Sequence, residues 1–153
     1  MKIADIYRKD FLIEKLAARN KQDVLMELSA IFLQSSVKFD HESVVNVLLE
    51  REKLGSTGIG DGIAIPHGKH RDLDDLMISF GRSPEGIDFD AMDGKPVHIF
   101  FLLMAPEKST GQHLKVLAKI SRMLKDGKFR EDLMTAMTKD DLYRIIAQRD
   151  DAC

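Results

Sequence analysis

Arg51-Glu52-Lys53-Leu54-Gly55-Ser56-Thr57-Gly58-Ile59-Gly60-Asp61-Gly62-Ile63-Ala64-Ile65-Pro66-His67-Gly68-Lys69-His70 is the stretch that decides how this chain is read. Four glycines fall within residues 55–62, so a loop is expected where backbone turns sharply or passes close to something. Ile63-Ala64-Ile65 follows, a short apolar run suited to a buried strand. Pro66 ends it, because proline donates no hydrogen bond to a ladder. His67 then stands at the rim of a sheet on a stiff base, with Gly68 leaving one ring face open. A histidine so placed suits a group that must meet another macromolecule.

On the N-terminal side, Val24, Leu25, Leu28, Ile31 and Phe32 repeat at helical spacing and predict a helix over Lys21 to Gln34. Asp40 reads as the N-cap of a second helix reaching about Lys53, with Val44, Val47 and Leu48 inward. On the C-terminal side, Leu76 to Phe80 reads as a strand. Val97 to Met104 is a near-continuous apolar run, the mark of a strand covered on both faces. Ser109 or Thr110 can cap a helix from about Gly111 to Lys125, with Leu114, Leu117, Ala118, Ser121 and Leu124 on one face. Shorter helices are expected near Phe129 to Met137 and over Lys139 to Gln148, where Thr138 and Asp141 resemble a capping box.

Helices and strands intermix, so the fold class is α/β with helices on both faces of the sheet. The gap between the Ile63 and Leu76 runs is too short for a crossover helix. Part of the sheet is therefore expected to be antiparallel, giving a mixed parallel/antiparallel arrangement. The length of 153 residues fits one domain from end to end, with no repeat or linker to divide it.

Bulk properties narrow the function. The 23 basic residues nearly balance the 25 acidic ones, so there is no global field, and nucleic acid is a poor candidate partner. Cys153 is the single cysteine and excludes an intramolecular disulfide. Charged residues at Asp5, Arg8, Lys9 and Asp10 interrupt any signal-peptide core, and no run of 18 apolar residues exists. A cytoplasmic protein without membrane insertion is expected.

Several readings of residues 51–70 compete on residue chemistry alone. Gly62 to Lys69 superficially echoes a nucleotide P-loop, but the glycine spacing is one residue too long and His70 replaces the metal-binding Ser/Thr. His67, His70 and Asp72 could form a metal site, although no other His or Cys cluster supports it. In the plainest reading the glycines serve turns and the histidine is incidental.

Residues 51–69 as a whole resemble the active-site signature of the enzyme IIA domains of the mannitol–fructose class of the sugar phosphotransferase system, nearest the nitrogen-regulatory branch. The likeness extends over Gly86-Ile87-Asp88-Phe89-Asp90-Ala91-Met92-Asp93-Gly94-Lys95-Pro96-Val97, the apolar strand that follows, and His113-Leu114-Lys115-Val116-Leu117-Ala118. Two positions depart from the pattern. Asp61 stands where asparagine is usual, adding negative charge near a phosphate site. His70 replaces an apolar residue and is expected to be solvated.

The resemblance implies a mannitol-IIA-like fold, phosphorylation of His67 at Nε2, and roles for Arg51 and His113 at the same site. It implies HPr or a nitrogen-branch HPr paralogue as phosphodonor, and a separate IIB component or regulatory protein targets as recipients. No cofactor or metal is expected. General chemistry is compatible with each role. An ordinary imidazole titrates near 6.5, so a neutral nucleophilic nitrogen is abundant at about pH 7.5. Arginine offers a planar fork to phosphoryl oxygens. A histidine near a helix start gains from the N-terminal partial charge.

Simpler accounts stand beside these. Arg51 could merely complement its helix dipole, and His113 could be a helix-surface residue. His98 is expected to be a hydrogen-bonded core or edge histidine, and His41 to be exposed. Three functions follow: a carrier with a regulatory, nitrogen-branch output; a sugar-specific IIA component feeding a fructose- or mannitol-type permease; or a binding module independent of phosphorylation.

Overall fold

The computed structural model describes residues 2–3, 7–109 and 111–153. The elements run β1 (Tyr7–Ile13), α1 (Lys21–Ala30), a 3-10 turn (Ile31–Gln34), α2 (His41–Lys53), β2 (Gly58–Gly60), β3 (Ile63–Ala64), β4 (His67–His70), β5 (Met77–Ile87), β6 (Val97–Pro106), α3 (Gln112–Leu124), α4 (Gly127–Thr135) and α5 (Lys139–Ala152). The sheet order is β1-β5-β6-β3-β2, with β4 also paired to β6.

β6 is the spine. On one edge it pairs antiparallel with β5, from Met77 opposite Met104 to Ile87 opposite Val97, and β1 adds parallel to β5. On its other edge β6 takes two short parallel strands in tandem. β3 pairs Ile63 with Ile99 and Ala64 with Phe100, and β4 then pairs His67 with Leu103 through His70 with Pro106. The sheet is mixed, as the spacing of the apolar runs required.

Alternation along β6 explains its unbroken apolar sequence. Ile99, Phe101, Leu103 and Ala105 join the core under α3, α4 and α5. Phe100, Leu102 and Met104 join the opposite core under α1 and α2. Each face is covered, so neither set of side chains can be polar. Among the described residues no helix is long and apolar enough to cross a membrane.

Several elements differ from expectation. The Lys21 to Gln34 helix splits, its last four residues tightening into the 3-10 turn. α2 begins and ends as expected, yet the Asp40 side chain makes no capping bond. β5 continues seven residues past Phe80 through a polar segment that reads as loop. There Arg82 is buried, and its guanidinium donates to the carbonyls of Glu14, Leu133, Met134 and Ala136, closing the C-terminal end of α4.

α3 starts behind Gly111, which adopts φ 96° as N-cap, so Ser109 is not the cap; Thr110 lies outside the described residues. Its buried face is Val116, Lys119, Ile120, Met123 and Leu124, whereas Leu114 is 60% exposed. Hydrophobicity alone misphases this helix because Lys119 faces inward, its Nζ 2.5 Å from the buried carboxylate of Asp150. α4 begins behind Asp126, whose side chain accepts from the Lys128 amide, and Thr138 caps α5 through the Asp141 amide, as expected.

Candidate functional site

The site is assembled around β4. Strand alternation sends His67 and Lys69 to one face and Gly68 and His70 to the other. The pairing with β6 fixes which is which. Leu103 and Ala105, opposite His67 and Lys69, face the α3 side; Met104, opposite Gly68, faces the α2 side. His67 and Lys69 therefore look toward the start of α3.

His67 is half-buried. Its Nδ1 lies 2.9 Å from the carbonyl oxygen of Ile65. A carbonyl only accepts, so Nδ1 carries the proton and Nε2 is left with its lone pair. The bond is short-range and sterically enforced, since Pro66 between the two residues limits the backbone. In the neutral ring Nε2 is therefore the nitrogen with a free lone pair.

His113 lies in the first turn of α3, half-buried, with Nδ1 3.2 Å from Ser109 Oγ. The Ser109 carbonyl in turn accepts from Lys69 Nζ at 3.4 Å. Burial holds His113 below the ordinary imidazole value, and the charge of Lys69 and the presence of the His67 ring push it further down. Lys69, on the His67 face of β4, and His113 meet at Ser109, which puts the start of α3 on the same side of the sheet as the His67 ring.

Arg51 is brought to the same strand from behind. On α2, Ser43 Oγ lies 2.8 Å from His70 Nε2, and Val47 meets Gly68. The helix and strand thus run in opposite senses. Four helical residues advance about 6 Å, and two strand residues about 6.6 Å. Continuing the match sets Arg51 level with Pro66, at the start of β4. Its Nη1 donates to the Gly55 carbonyl at 2.8 Å.

The glycine-rich loop is tied to α2 by the neighbouring acid. Glu52 is buried and accepts from the Thr57 amide at 3.1 Å and from the Thr57 hydroxyl. Lys21 Nζ lies 3.2 Å from the same carboxylate and 4.7 Å from the centre of the Phe89 ring. Sequence reading gave no site role to Glu52, Thr57 or Lys69, and took Ser109 only as a candidate helix cap. Lys69 was legible in principle, since a residue two positions beyond His67 in a strand must share its face.

Other expectations are corrected. His70 is 5% exposed, not solvated: the Asp72 amide donates to Nδ1 at 3.1 Å while Nε2 meets Ser43. A polar side chain survives there because both nitrogens are satisfied. His67 and His70 face opposite sides of β4, which removes the metal reading. Gly62 to Lys69 forms two strands with no helix after them, which removes the P-loop reading. His41 is half-buried, 2.9 Å from Ser29 Oγ. His98 is hydrogen-bonded, as expected, but stands half-buried on the central strand β6, with Nδ1 2.9 Å from the Ser83 carbonyl.

The charge of Asp61 is also displaced from the site. Gly62 meets the His98–Ile99 end of β6, and His67 meets Leu103. Four strand residues separate them, about 13 Å, beyond a screening length of about 8 Å at physiological salt. Asp61 has φ 57°, a left-handed position that aspartate and asparagine share an ability to fill.

The family described as phosphoenolpyruvate-dependent sugar phosphotransferase system, EIIA 2, matches residues 5–149. A nitrogen regulatory protein of Bradyrhizobium diazoefficiens is 38% identical over 147 residues, 96% of this chain and 95% of that one. The fructose-specific EIIABC component of Bacillus subtilis is 33% identical over 98% of this chain, which spans 24% of that longer protein. The crystal structure of nitrogen regulatory protein IIA-Ntr from Neisseria meningitidis has a TM-score of 0.87 and 36% identity, covering 94% of this chain and 98% of that one.

Proposed function

The chain belongs to the phosphoenolpyruvate-dependent sugar phosphotransferase system EIIA 2 family, and on that premise we propose that it is a cytoplasmic phosphoryl carrier, one domain over residues 1–153, loaded on His67 Nε2. The observation that carries the assignment is the 2.9 Å contact between His67 Nδ1 and the Ile65 carbonyl. It fixes the tautomer before any partner arrives.

In the transfer, the Nε2 lone pair forms a bond to phosphorus as the donor's bond to that phosphorus breaks, its electron pair leaving on the donor. The ring gains formal positive charge, which the Ile65 carbonyl stabilises through Nδ1–H. No side-chain proton must move. The phosphoryl oxygens, carrying about −2, are met by Arg51 and by His113, backed by the positive end of α3. Catalysis of this kind is positioning plus charge stabilisation. The reverse sequence passes the group to an acceptor.

The donor is an HPr-type protein or its nitrogen-branch paralogue, and the output is regulatory, through proteins that distinguish the two charge states of the His67 surface. Likeness to a nitrogen regulatory protein over 95% of its length favours this output. A second reading, delivery to the IIB component of a fructose-type permease, draws on the likeness to the fructose-specific protein. The same residues serve both.

Incubation with enzyme I, an HPr-type protein and phosphoenolpyruvate should give one acid-labile phosphate per chain, absent in His67→Ala. Undiminished uptake by that variant would overturn the assignment. Affinity capture with the phosphorylated and unphosphorylated chain then separates a regulatory target from a IIB acceptor.

A further inference from the structure

Lys69 donates to the Ser109 carbonyl and sets a positive charge near His113. We infer that Lys69 is a direct phosphoryl ligand, leaving the Ser109 carbonyl to bind a phosphoryl oxygen on His67 and thereby relaying phosphorylation to the loop before α3. The inference rests on the carrier reading of His67 and extends it.

Geometry supplies the first argument. Lys69 shares the His67 face of β4, two residues and about 6.6 Å further along. The flexible four-carbon stem of a lysine spans that distance. Its neighbour across the ladder is Ala105, which leaves room for the stem to turn back. The ammonium is exposed, so the movement requires no repacking.

Relative bond strength supplies the second. At present Lys69 Nζ donates to a neutral carbonyl at 3.4 Å, long for a charged donor. A phosphoryl oxygen is an anionic acceptor, and charge-assisted bonds are roughly twice as strong as neutral ones. Lys69 keeps its proton throughout; the change is one of partner only.

The third argument is connectivity. Ser109 is held between two groups of the site, its carbonyl by Lys69 and its hydroxyl by His113 Nδ1 at 3.2 Å. Withdrawing Lys69 releases one side of the Ser109 tether while the dianion draws His113 from the other. The segment from Glu107 to Ser109 thereby acquires two states, set by the charge on His67.

The test uses the full chain phosphorylated by enzyme I, an HPr-type protein and phosphoenolpyruvate, and separately by phosphoramidate. Lys69→Met should slow loading on the order of tenfold, the scale of losing one charged donor at an exposed site. It should also move the phosphohistidine 31P resonance and raise the His113 titration midpoint of the unphosphorylated chain. Lys69→Arg should restore loading to within about threefold. In the wild type, amide signals of residues 107–109 should shift on phosphorylation and stay put in Lys69→Met. Loading, 31P position and loop signals identical in wild type and Lys69→Met would overturn the inference and leave the carrier role standing. A wild type that takes up no phosphate from either donor would instead overturn the carrier role. If Lys69→Met fails to fold, wild-type Lys69 Nζ–H exchange decides: slowing on phosphorylation supports the contact, and no change overturns it.

Discussion

Gly68 on β4 and Val47 on α2 approach so closely that a methyl group on Gly68 would lie 2.7 Å from Val47 Cγ1. The contact seats the strand bearing His67 directly on the helix bearing Arg51. Gly68→Ala should therefore cost about 1–3 kcal/mol of stability by overpacking. Gly68→Ala with Val47→Ala should recover part of that loss, a non-additivity readable by urea denaturation. Additive losses would mean that the two residues do not share the space.

His113 should titrate below the ordinary imidazole value in the unphosphorylated chain, because burial, Lys69 and the His67 ring all disfavour its charged form. The sign has a stability consequence. Since the folded value lies below the unfolded one, acid protonates the unfolded chain first, and this residue's contribution falls as pH drops below about 6.5. A dianion on His67 reverses the local field and should raise the midpoint. Two-dimensional NMR titration of both forms checks both directions.

Glu52→Ala should loosen the glycine-rich loop. The carboxylate holds the Thr57 amide and hydroxyl and pairs with Lys21, so its removal strands two polar groups around a buried position and leaves Lys21 with Asp90 alone as its carboxylate partner. A loss of about 3 kcal/mol is expected, with slower phosphoryl loading because Arg51 adjoins the loosened turn. Glu52→Gln keeps the hydrogen-bonding shape and should lose less on both counts. Denaturation and loading kinetics measured together give the comparison.

Arg82→Met should destabilise the protein by about 3 kcal/mol, since four carbonyls lose a charged donor in a buried setting. The His67 site lies at the other end of β6, so phosphoryl loading below the unfolding transition should be unchanged. A parallel loss of loading at low temperature would contradict that separation.

The broad architecture was legible because covered sheets leave a simple record. The run from Val97 to Met104 announced a strand buried on both faces, and α1, α2 and α5 followed from spacing and caps. What escaped was held by long-range partners. β5 runs on through Arg82 because distant carbonyls of α4 satisfy its guanidinium, and α3 is rotated because Asp150 lets Lys119 face inward. His70 escaped likewise: Ser43, from another element, makes burial of an imidazole tolerable. For the proposed site, the family resemblance implied His67, Arg51 and His113 but not the spatial register of helix and strand. The opposed runs of α2 and β4, Ser43 beside His70 and Val47 beside Gly68, supply it.

β4 has only β6 as a ladder partner among the described residues, is four residues long, and is preceded by Pro66. Such an edge is a poor template for another chain's backbone: it is short, bounded by an imino acid, and carries an exposed lysine. On the carrier reading, partners are thereby denied strand addition beside the His67 ring. They must recognise it through side chains laid against a face, a mode of docking that lets them leave as readily as they come.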